Sequence, residues 1–380
     1  MSASISCSEA LEAIRRGERL PPEVVRALGE DDPDFFRVII ESLADSFDPA
    51  QVAAYEDLMR AWVSDSPRTR PRLPERPDTI YVLSRVTLGA DIKITSVIFD
   101  AMKRRFPEAQ IVFVANRKSA ELFAADPRIS ICNAEYPRSG PVPVRLAFAE
   151  ELRHRLEGRN RIVIDPDSRM TQLGLVPVCE PEDYFHFPSR TANSSENLTC
   201  LTNNWLVETF GQAGDAYIAP EPVALEDASS RAAVSLGVGG NENKRIAGDF
   251  ETQLVRLLTE NFHSLWIDRG AGGEEARRVT SAAAASGCFD RIHFWEGSFA
   301  GFASVIAQSD LYAGYDSAGQ HAAAASGTPL ISIFAGAPSD RFLQRWSPQG
   351  PGRIDIIHTD LLTPAECLGK FTALCSSGKG

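Results

Sequence analysis

A chain of 380 residues exceeds the size at which one core usually stops growing, which excludes a single small module and implies two packed domains plus an appendage. With 43% hydrophobic, 24% charged and 8% aromatic residues, it is neither disordered nor fibrous in composition. Lys and Arg number 39 against 51 Asp and Glu, a formal charge of -12, the opposite of a nucleic-acid footprint and ill suited to an anionic membrane surface.

Residues 1–65 read as a helical extension: Val24, Val25 and Leu28, then Phe35, Phe36, Ile39, Ile40 and Leu43, recur at helical spacing. Residues 66–77, SPRTRPRLPERP, are too rich in Pro and Arg to fold or bury and read as a linker. Beyond it TIYVLSR, a helix from Thr95 to Arg105, QIVFVAN, a helix from Ser119 and RIVIDPD alternate, the order of a parallel α/β sheet. A helix over Asn204 to Phe210 is followed by AGDAYIAPEPVALEDASS, the expected connection into a second domain. There AAVSLGV, HSLWIDR, IHFWEG, DLYAGYD and PLISIFA are separated by helices starting near Asp249, Glu274, Ser298 and Gly319. The expected domains are therefore 78–225 and 226–380, both doubly wound, with ligands at the carboxyl ends of the strands.

The 7 cysteines are scattered and never form a CxxC pair, so they read as reduced thiols rather than a disulfide framework or zinc site. The N-terminus has no apolar leader, and no run approaches the roughly 18 to 20 apolar residues of a membrane span. The expected location is the cytoplasm.

Three segments carry candidate chemistry. In DLYAGYDSAGQHAAAASGTPLISIFAG a strand runs into Asp316, Ser317, Ala318 and Gly319, and an Ala-rich helix follows that stops at Gly327. This is either an ordinary turn capped by Asp316 or Ser317, or an anion site at the helix N-terminus suited to a diphosphate. In VSLGVGGNENKRIAGDF a strand ends in glycines, Gly239 among them, and Lys244 follows. It is neither a Walker loop nor a full GxGxxG; Lys244 is either solvated or placed on a leaving phosphate. In YVLSRVTLGADIKITS, Asp91 lies at the start of an amphipathic helix, as a helix-terminal charge or as a general base. Asp165-Pro166-Asp167 reads as a turn rather than a metal pair, and of the 6 histidines no two have metal-ligand spacing. No metal is expected, and His321 is the one histidine of interest.

In this order and on these elements, the three segments resemble glycosyltransferase family 9, the ADP-heptose:lipopolysaccharide heptosyltransferase-like enzymes. The likeness covers roughly residues 79–350 and is best where Asp316, Ser317 and His321 precede Gly327-Thr328-Pro329 and Phe334. It implies the GT-B architecture of two facing Rossmann-like domains, here preceded by a helical extension that the family core lacks. It also implies a lysine at the head of the second domain, here Lys244, and an acidic residue on the nucleoside ribose, Glu274 in preference to Glu275. The family usually carries Leu-Gly-Asp where this chain has Leu88-Gly89-Ala90-Asp91, one residue longer.

The expected function is an inverting, metal-independent glycosyltransferase that needs no cofactor. Its donor would be a nucleotide-diphospho-sugar, ADP-heptose if the resemblance extends that far, and its acceptor a small molecule, protein or glycan. Asp91 and Lys244 would be catalytic; Gly239, Glu274, Asp316, Ser317, Ala318, Gly319 and His321 would bind the donor. The alternatives are a nucleotide-sugar epimerase of the same fold and a non-catalytic binding or scaffold protein. Neither nucleic acid nor an integral membrane segment is expected.

Overall fold

The computed structural model describes residues 5–44, 48–63, 70–192, 194–225, 230–238, 241–270, 272–336 and 339–377. Packing divides the chain into two units: Met1–Thr87, Ala101–Ala120 and Arg128–Gly214 form one, and Leu88–Asp100, Glu121–Pro127 and Asp215–Gly380 the other. This division runs differently from sequence boundaries at 65, 77 and 225. The helical extension belongs to the first unit, and the segment after its first strand belongs to the second.

In the first unit β1 (Thr79–Leu83), β2 (Gln110–Ala115), β3 (Ile129–Asn133), β4 (Arg161–Asp165) and β5 (Tyr184–His186) make a parallel sheet in the order β3-β2-β1-β4-β5. Every residue of β4, and all of β2 but Gln110, is buried, as expected of strands covered on both faces. The edge strands β3 and β5, which periodicity misses, are short and partly exposed.

The extension folds as helices Cys7–Arg15, Pro22–Asp31, Glu41–Ala44 and Pro49–Met59, with a π-helical turn at Phe36–Ile40. Ser6 and Glu9 cap the first reciprocally, and Asp48 caps the last just before Pro49. Its apolar face does not stand alone. Phe36, Ile39, Leu43 and Tyr55 share one core with Val142 and Leu173 of the sheet-bearing part. Arg145, wholly buried, lays its guanidinium 3.5 Å from the centroid of the Phe36 ring, and Arg169 pairs with Glu41 at 3.3 Å. Of the linker, residues 66–69 lie outside the described residues; 70–77 have no regular structure, and the Arg72 N–H donates to the Glu182 carbonyl at 2.8 Å.

The second unit holds β6 (Arg231–Ser235), β7 (Ser264–Asp268), β8 (Ile292–Trp295), β9 (Leu311–Tyr315), β10 (Leu330–Phe334) and β11 (Ile354–His358), all parallel, in the order β11-β10-β9-β6-β7-β8. Counted from β6, this is the Rossmann order, which reverses between β6 and β9. The edge strand β11 was not expected. Leu254 and Leu258 of the Phe250–Asn261 helix, Val279 of the Gly273–Ala285 helix and Phe371 of the C-terminal helix pack on one face of the sheet. Gly327, at φ 76°, closes the Ala318–Ser326 helix in the left-handed conformation, and Pro329 leads into β10, as the sequence suggests.

Among the described residues no helix is long and apolar enough to cross a membrane. All 7 cysteines are free. Burial pushes the thiols of Cys7 and Cys179 up to about 12, so they remain protonated.

Candidate functional site

In an open α/β sheet the crevice for a ligand opens where the strand order reverses, at the carboxyl ends. In the second unit that point is flanked by β6 and β9, and two of the candidate residues come from the loops that follow these strands. After β6 the chain turns through Asn241, whose side chain accepts from the Asn243 N–H, into a 3-10 turn ending at Lys244. After β9 comes Asp316. Lys244 Nζ lies 2.7 Å from Asp316 Oδ2, and its ammonium stands 5.5 Å from the centroid of the Phe342 ring. Asp316 is itself fixed: its N–H donates to the Ile333 carbonyl at 3.1 Å, and the Gln320 amide donates to Oδ1. Gln320 is held in turn by the Ser332 hydroxyl.

The helix that follows has no side-chain capping bond at its start. Ser317 is the N-cap residue of the Ala318–Ser326 helix, but its side chain makes no capping bond and lies 3.3 Å from the Tyr312 hydroxyl instead. The first N–H groups of the helix thus have no acceptor from that side chain. Ala318 is partly buried at the first helical position. For Gly319 the structure gives a different reason than close approach to a ligand: a Cβ there would stand 2.2 Å from the Tyr312 hydroxyl, so the glycine makes room for a tyrosine of β9. Gly239 lies outside the described residues.

His321 is 5% exposed and, among the described residues, has no hydrogen-bond partner for its ring; the Trp346 ring lies 5.9 Å away. Burial, with the charges of Lys93 and Lys244, pulls its pKa well below the ordinary histidine value, so it is neutral at neutral pH.

Glu274 is exposed. The acidic residue that reaches the strand ends is Glu275: a Cβ on Gly237 would stand 2.3 Å from its Oε1, and one on Gly270 2.5 Å from its carboxyl carbon. The helical phase carries the signal for this, since Val279 and Ala283, four and eight residues on, are buried. Beside Glu275, Asp268 at the end of β7 accepts from the Gly270 N–H at 3.0 Å; burial raises its pKa, and the Glu275 charge adds to the rise.

Asp91 is wholly buried and accepts from the Thr95 hydroxyl at 2.9 Å. The helix here starts at Leu88, earlier than expected, and Asp91–Thr95 is a π-helical turn in which the Ser96 N–H donates to the Asp91 carbonyl. A π-helical turn holds one more residue than an α-helical one. The α-helix resumes at Ser96. The segment packs on the Ala318–Ser326 helix: a Cβ on Gly89 would stand 3.0 Å from His321 Cδ2. Lys93, 2% exposed in the same turn, donates from Nζ to the Ser347 carbonyl at 2.7 Å. Lys93 is not among the residues that sequence reasoning singled out, and Glu275 is the one it ranked behind Glu274.

The first unit brings Asp165 and Asp167 together as parts of a hydrogen-bonded loop. Asp165 accepts from the Ser168 N–H at 2.6 Å and from the Thr171 and Tyr184 hydroxyls; Asp167 accepts from the Arg190 N–H at 2.8 Å and the Ser189 hydroxyl at 3.1 Å. Burial alone would raise the Asp167 pKa, but Arg190, His186 and Arg85 together bring it well below the usual range. Among the described residues no group of three or more His, Cys, Asp or Glu is placed to hold a metal ion.

No family model matches the chain, and no curated protein matches it. Solved structures do. A glycosyl transferase of family 9 from Veillonella parvula is similar over 80% of this chain and 99% of its own, at 14% identity and a TM-score of 0.59. The E. coli ADP-heptose LPS heptosyltransferase II is similar over 80% and 100%, at 15% identity and a TM-score of 0.55. The E. coli heptosyltransferase WaaC with ADP is similar over 78% and 99%, at 14% identity and a TM-score of 0.58. At such identities the likeness is one of fold, and with two parallel sheets in Rossmann-like order the chain has the GT-B fold of these glycosyltransferases.

Proposed function

We propose that this chain is an inverting glycosyltransferase that takes a sugar from a nucleotide-diphospho-sugar and needs no metal. The observation that carries the reading is the Lys244–Asp316 pair at the point where the second sheet reverses, beside a neutral His321 on the helix that follows. The donor's diphosphate would lie against Lys244 and the first N–H groups of the Ala318–Ser326 helix, and Glu275, rather than the exposed Glu274, would take the ribose hydroxyls. The acceptor oxygen bonds to the anomeric carbon as the bond from that carbon to the diphosphate oxygen breaks. The acceptor proton passes to Asp91, and the nucleoside diphosphate leaves with the electron pair. Lys244 and the helix N-terminus supply the positive charge that the departing diphosphate requires, so no step calls for a metal. Like the WaaC structure with ADP, this chain would accept an adenine nucleotide, with ADP-heptose the first donor to try. The acceptor is a small molecule, protein or glycan, and the unpaired cysteines favour action in the cytoplasm.

A thermal-shift panel of ADP-, UDP-, GDP- and dTDP-sugars tests the reading. A ligand at about 100 times its dissociation constant adds roughly 2.7 kcal/mol to stability. One nucleotide class should raise the melting temperature of the native protein and fail to raise that of Lys244→Ala. If no nucleotide-sugar shifts the native protein, the reading is wrong.

A further inference from the structure

A buried helix end whose backbone N–H groups lack acceptors is unusual, because each such donor costs free energy away from water. The Ala318–Ser326 helix begins in this way. Gly319 and Gln320 in its first turn are buried, and among the described residues the N–H groups of Ala318, Gly319 and Gln320 meet no acceptor. Serine is among the residues best suited to cap them, yet Ser317, at the N-cap position, makes no capping bond. Its hydroxyl lies 3.3 Å from that of Tyr312 instead. Tyr312 is fully buried on β9, and a Cβ on Gly319 or on Gly314 would stand 2.2 or 2.8 Å from its hydroxyl, so both glycines leave room for that oxygen under the start of the helix. Two further groups lie at the same place. Lys244 Nζ is 3.4 Å from the Asp316 carbonyl, one residue before the cap. His321 is nineteen-twentieths buried with no hydrogen-bond partner for its ring among the described residues, and a Cβ on Gly89 would stand 3.8 Å from its Nε2 and 3.7 Å from Ala318 Cα, which puts that nitrogen on the side of the helix where its first residue lies.

We propose that Tyr312 is a positioning residue: by engaging Ser317 it keeps the N-cap hydroxyl off the first turn of the helix, so that the N–H groups there stay open to the diphosphate of a bound donor. The identity of the anion rests on the donor reading above; the diversion of Ser317 does not. Without the Tyr312 hydroxyl, Ser317 has no partner on the strand and turns to the N–H of Gly319 or Gln320, the second and third helical residues that a serine cap ordinarily serves. The helix then gains a cap and the site loses donors for its anion.

Two measurements on the native protein, Tyr312→Phe and the double variant Tyr312→Phe with Ser317→Ala test this: amide hydrogen exchange of Gly319 and Gln320 by NMR, and calorimetric titration of inorganic pyrophosphate. Tyr312→Phe deletes one oxygen and keeps the ring, and circular dichroism checks that each variant is folded. In Tyr312→Phe, exchange at one of the two amides should slow at least fivefold and pyrophosphate should bind at least fivefold more weakly. Adding Ser317→Ala should reverse both changes, which a packing defect at Tyr312 would not allow. In the native protein pyrophosphate itself should slow the same amides, a check that needs no variant. If Tyr312→Phe exchanges and binds within twofold of native, if Ser317→Ala recovers nothing, or if bound pyrophosphate leaves the two amides unchanged, the proposal falls and the donor reading is untouched. If exchange slows in Tyr312→Phe but the native protein binds neither pyrophosphate nor a nucleotide-sugar, the anion role and the glycosyltransferase reading fail together, while the diversion of Ser317 stands.

Discussion

Lys244 and Asp316 make an ion pair that is only 18% and 8% exposed, and the net stability such a pair provides is small because both charges are desolvated. Removing Lys244 alone would leave Asp316 with an uncompensated charge, mixing a folding effect into any activity change. The double variant Lys244→Met with Asp316→Asn removes both charges together. It should fold like the native protein, while turnover falls by about 10²- to 10³-fold, the usual cost of one stabiliser of transition-state charge. Native turnover in the folded double variant would take Lys244 out of the mechanism. His321 offers a second check at this scale. Its folded pKa is depressed, so its contribution is present above the unfolded value of about 6.5 and is lost as pH falls below it. Between pH 6.5 and 5 the native protein should lose up to about 1.4 kcal/mol per pH unit more than His321→Gln. Equal slopes in denaturant titrations of the two proteins would show that the imidazole is not held neutral.

Elements that bury a regular apolar face were legible in the sequence; those defined by what packs on them were not. DLYAGYD and PLISIFA became β9 and β10, and Gly327 with Pro329 marked the end of the helix between them. The edge strands β3, β5 and β11 lack a continuous buried run and give no such signal. Glu274 was preferred to Glu275 because an adjacent pair of carboxylates is separated by helical phase alone. Lys93 went unnoticed because a lone lysine between isoleucines looks solvated until the partner helix is seen. Deleting Ala90 should convert the π-helical turn at Asp91–Thr95 to an α-helical one and rotate Asp91 relative to His321; turnover should then drop while helix content, read by circular dichroism, stays native. The extension likewise reads as an appendage in sequence yet shares its core with Val142 and Leu173. Phe36→Ala removes a ring that is 1% exposed and stacked on Arg145, and should cost about 3 to 5 kcal/mol in equilibrium unfolding. A loss below 1 kcal/mol would mean that the extension is only loosely attached.

At the scale of the whole molecule the same strand logic occurs twice, and the second sheet, with its order reversing between β6 and β9, is followed at that point by the loops that pair Lys244 with Asp316. The GT-B fold alone does not say whether the sugar is transferred, returned to the nucleotide altered, or merely bound. The proposed chemistry separates these: Asp91 would act as the base, Lys244 would hold the leaving group, and side-chain and helix-end charge would stand in place of a metal. The direct measurement is proton NMR of the reaction products, made in EDTA with the donor identified by thermal shift and an acceptor that supports nucleotide release. The account predicts the sugar on the acceptor with its anomeric configuration inverted and the reaction undiminished by the chelator. Retained configuration, a changed sugar returned on the nucleotide, or activity abolished by EDTA and restored by Mg or Mn would contradict it.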